Sequence, residues 1–352
     1  MSRTLSEQIS GALIQELEDG NYPVGSRFPS ESQLALRFHM NKWTVNKAVT
    51  RLVEMGMLQR KCRGGGTIVL QSRRFPRGTL AYVGPMDRYH SQILSGIQDA
   101  GLKRGYLTVL LSPPAEEREH YLNLLTPASV KGIILVHSGV PKLPDGMPCI
   151  HVDHDFPKED NQHHTVNCDN HAAGLALMRL IIKRGHREIA LFLSEPFAYS
   201  QTLPFQVRVM GFHEAMREAG IMDVLERTYV GAKDSVEDAC YCLRRMLSEH
   251  PGLTIVACDS DNSAELILKA AEMLGVEIPG RLAVTGFGNI SHHPFATADS
   301  CPRLLGEHAC NHLMDMVEKN YRGSIPLHER HSVSLVKTEY IPTILSPSPI
   351  HH

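Results

Sequence analysis

The sequence has none of the long apolar stretches that mark membrane or exported proteins. Its 352 residues include no run of about 18 apolar residues, so we expect no transmembrane helix. The first residues, Met1–Thr4, lead into a polar amphipathic stretch instead of the apolar core of a signal peptide. The eight cysteines include no CxxC pair, so reduced, mostly buried thiols are expected rather than a disulfide framework. These absences predict a cytoplasmic protein that contacts no membrane.

Motifs for common catalytic chemistry are also absent. The chain has no Gly-x-Ser-x-Gly turn, no His-Glu-x-x-His zinc motif and no Gly-Lys-Ser/Thr phosphate loop. It has no internal repeat and no low-complexity tract. We therefore expect neither an enzyme nor a bound cofactor. At about 150 residues per domain, the length allows roughly two domains.

Acidic residues are scarce in one part of the chain, although the net charge of the whole is only −2. Residues 1–77 contain 12 Lys and Arg against 6 Asp and Glu, whereas the remainder contains 24 against 32. Within residues 37–77, ten basic side chains stand against Glu54 alone. A basic head on an acidic body is typical of a polyanion-binding module joined to a second unit. A solvated charged surface is the alternative interpretation.

Three helices and a hairpin are predicted in this basic head. The runs Thr4-Leu5-Ser6-Glu7 and Ser30-Glu31-Ser32-Gln33 are capping boxes that start the first two helices, and Asn41 can cap the third. The third helix has one apolar stripe formed by Val45, Ala48, Val49, Leu52 and Val53. Residues 57–61 and 67–70 are predicted as two strands around a basic, glycine-rich tip. This order predicts an N-terminal winged helix-turn-helix of the α+β class.

The head resembles the GntR-type winged-helix domain. The resemblance rests on residues 25–35, on Thr44-Val45-Asn46-Lys47-Ala48-Val49 and on Gly64-Gly65-Gly66-Thr67, with departures at Asn41-Lys42 and Asn46, where Ser-Arg and Arg are usual. It implies that the third helix enters the major groove of double-stranded operator DNA. Trp43 is expected to pack against a neighbouring element rather than to stack on DNA. The predicted DNA-binding residues are Ser30, Lys42, Trp43, Thr44, Asn46, Lys47, Arg63, Gly64 and Gly65.

Beyond a linker at residues 71–78, short apolar runs alternate with helical patterns. Strands are predicted at residues 79–83, 107–111, 132–136, 149–152, 188–193, 254–257 and 282–285. Helices are predicted near residues 91–104, 116–125, 170–184, 207–219, 235–249 and 261–274. This alternation is typical of α/β domains with parallel sheets. The length suits two lobes, with a ligand in the crevice at the carboxyl ends of the strands.

Several segments of the body resemble the effector domain of the LacI/GalR repressors, which is similar to periplasmic sugar-binding proteins. The segments are Val166-Asn167-Cys168-Asp169-Asn170, Gly185-His186-Arg187, Arg208-Val209-Met210-Gly211-Phe212, Cys258-Asp259-Ser260-Asp261 and Val284-Thr285-Gly286-Phe287. The resemblance implies a two-lobed, periplasmic-binding-protein-like fold. It also implies that Arg208 binds ligand oxygens and that Asp261 accepts hydrogen bonds from ligand hydroxyls. The other predicted effector-binding residues are Asp87, Tyr89, His90, Asp153 and Phe197, which stand on loops expected to line the cleft.

Three alternatives remain open beside this interpretation. An aminotransferase-like body, which follows some GntR-type heads, needs a Schiff-base lysine in a pyridoxal-phosphate setting, and none is found. A metal sensor is suggested by His151, His154, His163, His164, Cys168 and His171, although surface histidines are the default. The effector could also be a purine or an amino acid.

The sequence therefore predicts a ligand-responsive transcription regulator. We expect a winged helix-turn-helix over residues 1–70, a linker over 71–78 and a two-lobed effector domain over 79–345. The most favoured function is a repressor of carbohydrate-use genes whose operator affinity is changed by a bound sugar. A homodimer is expected, because two-fold symmetric proteins match palindromic operators. No metal site is assigned.

Overall fold

A computed structural model describes residues 4–61, 65–72, 75–136, 141–154, 156, 162–197, 203–232, 234–318 and 326–344. Within these ranges the chain forms a small helical head and a larger α/β body with two six-stranded sheets. Among the helices so described, none is long and apolar enough to cross a membrane.

The head contains three helices that begin where the sequence predicts. They are α1 (Leu5–Glu18), α2 (Glu31–Phe38) and α3 (Lys42–Glu54). Thr4 and Ser30 both form complete capping boxes, and the Asn41 side chain accepts a hydrogen bond from the Thr44 N–H. The apolar stripe of α3 is buried against α1, which brings Leu13, Leu17 and Leu52 into one core. Local capping and burial of this stripe together explain the three-helix arrangement.

The wing of the head has three strands instead of the predicted two. They are β1 (Arg27–Phe28), β2 (Leu58–Arg60) and β3 (Thr67–Val69), in the antiparallel order β1-β3-β2. The hairpin of β2 and β3 is confirmed. The additional strand β1 is only two residues long, so it carries no alternation that a sequence pattern could reveal.

The first lobe of the body contains a sheet in the order β14-β8-β7-β6-β4-β5. Its strands are β4 (Gly78–Val83), β5 (Tyr106–Leu111), β6 (Gly132–Val136), β7 (Cys149–Val152), β8 (Thr165–Cys168) and β14 (His328–His331). All of these strands are parallel. The helices of this lobe are α4 (Arg88–Lys103), α5 (Arg118–Asn123) and α10 (Pro302–Glu318). The helices α4 and α10 pack on each other beside the sheet.

The second lobe contains a sheet in the order β10-β9-β11-β12-β13-β15. Its strands are β9 (Ile189–Leu193), β10 (Thr228–Val230), β11 (Ile255–Cys258), β12 (Ala283–Phe287), β13 (Ala296–Asp299) and β15 (Ser334–Val336). Of these six strands, only β15 is antiparallel to its neighbour. Its helices are α6 (Asn170–Lys183), α7 (Pro204–Glu218), α8 (Val236–Glu249) and α9 (Asp261–Leu274). The predicted two-lobed, parallel-rich α/β body is confirmed.

The chain passes between the lobes three times: from β8 to α6, from β13 to α10 and from β14 to β15. The backbone N–H of Asp169 donates to the carbonyl of His331 at 2.8 Å, so two of these crossings are hydrogen-bonded to each other. The sequence prediction omitted β8, β10, β13, β14, β15 and α10. Because of this omission it missed the return of the chain to the first lobe.

Candidate functional site

The exposed face of α3 in the head carries one aromatic ring and three cations, of which Arg51 is paired with Glu7 of α1. The Trp43 side chain is 67% exposed, so the expectation that it packs against a neighbouring element is wrong. Instead, the Lys47 ammonium lies 3.8 Å from the centre of the Trp43 ring, a cation–π contact on the surface. Lys42 is exposed at the first turn of the same helix. This face offers positive charge at the end of the helix that enters a groove in winged-helix proteins.

Other predicted DNA-binding residues already have partners within the head. The Asn46 amide donates to the Glu31 carboxylate at 2.8 Å, and the Thr44 hydroxyl donates to Asn41 at 2.9 Å. Ser30 is engaged in the cap of α2 with Gln33. The bond between Asn46 and Glu31 joins α3 to α2, whereas the other two contacts belong to the N-terminal caps of single helices. Arg63 and Gly64 lie outside the described residues, and Gly65 is half-buried just beyond them.

A cavity of about 220 Å³ lies between the two lobes of the body. It is lined by five of the predicted effector-binding residues, namely Asp87, Tyr89, His90, Asp153 and Arg208. The first four come from the first lobe and Arg208 from the second. The structure adds Ser194, Phe205, Asp259 and Phe287 to the lining. Residues far apart in the chain therefore meet at the carboxyl ends of both sheets.

The start of α4 positions three of these side chains. Asp87 is the N-cap of α4, and its carboxylate accepts hydrogen bonds from the N–H groups of Tyr89 and His90 at 2.9 and 3.0 Å. The same oxygen lies 2.8 Å from Nδ1 of His90. The prediction that Tyr89 and His90 stand on a loop is therefore wrong, since both belong to the first turn of a helix. Burial, together with the nearby Asp153 carboxylate, raises the pKa of Tyr89, so its phenol stays protonated.

Asp153 is the most unusual acceptor in the cavity. It follows β7, adopts a left-handed backbone conformation with φ of 56° and is only 3% exposed. Its Oδ1 atom has no hydrogen-bond partner among the described residues. Burying a carboxylate oxygen without a hydrogen-bond donor costs free energy. This position therefore favours a ligand that supplies a hydroxyl or an N–H group as the donor.

Arg208 is held in place by three hydrogen bonds. Its Nε and Nη2 donate to the Asn170 side chain at 3.2 and 2.8 Å, and its Nη1 donates to the backbone carbonyl of Asp259 at 2.7 Å. Its guanidinium lies 3.9 Å from the centre of the Phe287 ring. A guanidinium has five N–H donors, so two remain for a ligand.

Two glycines make this placement of Arg208 possible. A Cβ at Gly174 would lie 2.2 Å from the carbonyl oxygen of Arg208, and one at Gly211 would lie 2.4 Å from that of His171. Only glycine allows the backbones of α6 and α7 to approach so closely. Their close approach brings Asn170 on α6 within reach of Arg208 on α7.

The structure does not place Asp261 in the cavity. This carboxylate is fully buried and accepts hydrogen bonds from the N–H groups of Ile290 and Ser291 at 2.7 and 3.1 Å and from the Thr297 hydroxyl at 2.6 Å. Its donors are therefore backbone and side-chain groups of the second lobe. Asp259, two residues earlier, lines the cavity instead, but its carboxylate is occupied by the hydroxyls of Ser194, Ser260 and Ser263.

Phe197 also lies away from the cavity. Its ring packs 4.8 Å from the ring of His213, beside the core of the second lobe. The aromatic side chains that line the cavity are Tyr89, Phe205 and Phe287. Phe287 could have been inferred from the sequence, because it comes two residues after the predicted strand at 282–285, at the carboxyl edge of its sheet. Phe205 lies on the first turn of α7, and no motif marks it.

The histidines suggested as metal ligands near residues 151–171 do not form a ligand set within the described residues. The rings of His151, His154 and His163 surround Phe156 at 5.0, 4.6 and 4.4 Å. The described residues contain a different set of possible metal ligands in the first lobe, formed by His308, Glu329 and His331. The ligand atoms of these three side chains all lie within 4.8 Å of one another.

Comparison with known proteins divides the chain at the same place as the fold. Residues 5–69 match the bacterial regulatory proteins of the gntR family, and residues 80–337 match the periplasmic binding proteins and sugar binding domain of the LacI family. Both resemblances that the sequence motifs predict are thereby confirmed.

Curated relatives and solved structures support the same division. The chain is 26% identical over 253 residues to the HTH-type transcriptional repressor CytR of Escherichia coli (strain K12), which covers 68% of this chain and 72% of that protein. It is 26% identical over 258 residues to the repressor PurR of Salmonella newport (strain SL254), which covers 69% and 74%. A transcriptional regulator CelR–cellobiose complex has a similar fold, with a TM-score of 0.63 at 18% identity, covering 95% of this chain and 98% of that one. These are regulators rather than enzymes, which is the class that the sequence predicts.

Proposed function

Since this chain belongs to the family of periplasmic binding proteins and LacI-type sugar binding domains and carries a gntR-type head, we propose that it is a transcriptional repressor whose operator affinity changes when a sugar fills the cavity between its lobes. The proposal assigns DNA binding to residues 1–70, a linker to 71–78 and effector binding to 79–345. The observation that carries it is the presence, in one chain, of an exposed cationic helix face and a cavity between two lobes whose Asp153 and Arg208 side chains can form further hydrogen bonds.

The head supports DNA binding through its charge and its geometry. Lys42 and Lys47 project from the exposed face of α3, and each can neutralise a phosphate or contact a base edge. Trp43 beside Lys47 adds an aromatic surface that can rest on a sugar of the DNA backbone. The caps of Ser30 and Asn41 and the bond from Asn46 to Glu31 pre-orient the two N-terminal helix ends, which can bind phosphate through backbone N–H groups.

The cavity supports a neutral polyhydroxyl ligand. The Oδ1 atom of Asp153 is an unfilled acceptor, and the two remaining N–H groups of Arg208 are donors. Sugar hydroxyls can both donate and accept, so they satisfy both sides at once. The half-buried ring of Phe205 offers an apolar surface for the C–H side of a sugar. The lining carries Asp87, Asp153, Glu195, Asp234 and Asp259, and this excess of carboxylates disfavours a phosphorylated effector.

The volume of the cavity also supports a small effector. At about 220 Å³ it is smaller than the roughly 300–1,000 Å³ of sites for drug-sized ligands. Two solved structures of similar fold contain sugars, one described with cellobiose and another, from Enterococcus faecium, with bound ribose. A purine or an amino acid is the alternative effector, and a ligand screen separates these classes.

The protein acts as a homodimer in this proposal, with two recognition helices about one turn of DNA apart. A ligand that favours one arrangement of the lobes changes the spacing of the two heads. The coupling between effector and operator in such systems is typically about 1–3 kcal/mol.

Two linked measurements test the proposal. A thermal-shift screen should include neutral sugars, sugar phosphates, purines and amino acids, because a ligand at 100 times its Kd adds about 2.7 kcal/mol of stability. DNA duplexes that the protein selects from a random pool should then be used for binding measurements. The affinity of the protein for these duplexes should fall or rise when the stabilising ligand is added. If a purine stabilises the protein and no sugar does, the effector is a purine instead of a sugar. If the protein selects no duplex, the proposal that it is a repressor is refuted.

A further inference from the structure

A cluster of three histidines and one glutamate joins α10 to the edge strand β14 in the first lobe. His308 and His312 are separated by one helical turn of α10, so they lie on the same face of the helix. Glu329 and His331 are separated by two positions on β14, so they lie on the same face of the strand. The fold brings these two faces together.

The glutamate is the centre of the cluster. Its Oε1 accepts a hydrogen bond from Nδ1 of His308 at 2.7 Å and lies 2.8 Å from Nε2 of His331. Its Oε2 accepts from Nε2 of His312. The rings of His308 and His331 are 4.6 Å apart and nearly perpendicular. One carboxylate therefore occupies the space between three imidazole nitrogens.

The geometry points to a binding site for a borderline divalent transition metal, Zn²⁺ in the first place, with His308, His331 and Oε1 of Glu329 as ligands and His312 as the residue that positions Glu329. The three ligand atoms already lie within 4.8 Å of one another. Tetrahedral Zn²⁺ holds ligand atoms about 3.3 Å apart, so side-chain rotations of about an ångström suffice. The bond from His312 to the other carboxylate oxygen is the kind of contact that orients a metal-bound carboxylate.

The accessibility of the cluster suits an exchangeable ion. The side chains of His308 and His331 are 38% and 15% exposed, so one ligand faces solvent and the other is enclosed. Two imidazoles and one carboxylate are a typical set of three protein ligands for Zn²⁺, and they leave a fourth position for solvent. Magnesium and calcium prefer oxygen ligands, so this set disfavours both.

The site is separate from the effector cavity. None of its four members lines the cavity. Because β14 pairs with β8, with Glu329 opposite Val166 and His331 opposite Cys168, a bound ion would clamp α10 to the edge of the sheet where the chain crosses between lobes.

The test uses the untagged full-length protein after treatment with EDTA. Calorimetric titration with ZnCl₂ should show one specific ion per chain, and MgCl₂ should show none. Replacing zinc with Co²⁺ should give the visible absorption bands of a tetrahedral site. The double variant His308→Ala/His331→Ala should lose this binding, whereas a matched double variant of exposed histidines, His120→Ala/His292→Ala, should keep it.

Two further variants distinguish a metal site from a structural hydrogen-bond cluster. His312→Gln should keep one ion per chain but weaken its affinity by about 10- to 100-fold, as changes in orienting residues do. Glu329→Gln retains the shape of the side chain but lacks the anionic ligand, so it should abolish the cobalt bands even if the double histidine variant does not fold. Unchanged zinc affinity in Glu329→Gln, or no specific ion in the unmodified protein, would overturn the proposal.

Discussion

Arg88 and Glu265 form an ion pair across the two lobes beside the cavity, with 2.9 Å between Nη2 and Oε1. The same Arg88 nitrogen donates to the side chain of Asn262 at 2.8 Å, and Asn262 lines the cavity. Glu265 is further held by the Ser291 hydroxyl at 2.6 Å. Burial raises the pKa of Glu265, but its hydrogen bonds from Arg88 and Ser291 outweigh this and hold it below the ordinary value. The pair thus connects α4 of the first lobe to α9 of the second.

Removing this bridge should weaken effector binding. Arg88→Ala deletes a contact that exists only when the lobes are close, so the open arrangement becomes more populated. An ion pair of this exposure contributes about 0–1 kcal/mol to the free energy of the closed arrangement. We therefore expect the Kd for the effector to increase by up to about fivefold. Calorimetric titration measures this change. The control is Arg179→Ala, which removes an exposed pair with Glu218 inside the second lobe and should leave Kd unchanged.

Operator binding should depend on the exposed lysine of the recognition helix. Lys47→Ala removes one positive charge and its contact with Trp43. The slope of log affinity against log salt concentration should then fall by about 0.9 if Lys47 neutralises one phosphate. Fluorescence anisotropy at several salt concentrations gives the slope. Lys103→Ala, on an exposed lysine of the body, should have no effect, and an equal effect of both variants would contradict this assignment.

The affinity for the effector should depend on the carboxylate of Asp153. Asp153→Asn is a mild change for the backbone, because Asn tolerates the left-handed conformation at this position. It replaces an unfilled acceptor with an amide group, so the sugar should bind about 5- to 150-fold more weakly, which corresponds to roughly 1–3 kcal/mol. The thermal midpoint without ligand should not fall, because the amide has the shape of the carboxylate and Oδ1 has no hydrogen-bond partner among the described residues to lose. Native-like affinity would exclude Asp153 from the site.

Asp261 should matter for stability rather than for ligand recognition. Asp261→Ala leaves two backbone N–H groups and the Thr297 hydroxyl without their acceptor. Each lost partner costs about 1–3 kcal/mol, so the free energy of unfolding should fall by about 3 kcal/mol or more. Denaturant titration measures the loss, with Asp145→Ala on the surface as the control. A stable variant that fails to bind sugar would restore Asp261 to the effector site.

Stability should decrease as the solution becomes more acidic, partly through His213. Burial, with a smaller contribution from Arg217, lowers the pKa of this histidine to about 4. The unfolded chain binds a proton near pH 6.5 and the folded chain does not, so stability falls by about 1.4 kcal/mol per pH unit between the two values. His213→Gln should flatten this dependence between pH 6.5 and pH 4, whereas His120→Gln on the surface should not. Parallel stability curves for His213→Gln and the unmodified protein would contradict this.

The sequence alone determined the features that depend on neighbouring residues. The capping boxes at Thr4 and Ser30 and the apolar stripe of α3 involve positions only a few residues apart, so they are visible in the sequence and predict the head. The alternation of apolar runs and helical patterns likewise predicts a two-lobed α/β body. Strands such as β8 and β13 were missed because polar residues interrupt their apolar pattern, whereas the equally short β7 and β11 are mainly apolar.

Only the tertiary structure decided which side chains share the cavity and which form the histidine cluster. Asp259 and Asp261 stand two positions apart, and the path of the chain from β11 into α9 directs the first toward the cavity and the second toward Ile290 and Ser291. Likewise, His308 meets Glu329 only because α10 returns to the first lobe and β14 pairs with β8. A sequence pattern records neighbours along the chain, whereas these sites form from segments that packing brings together across the lobes.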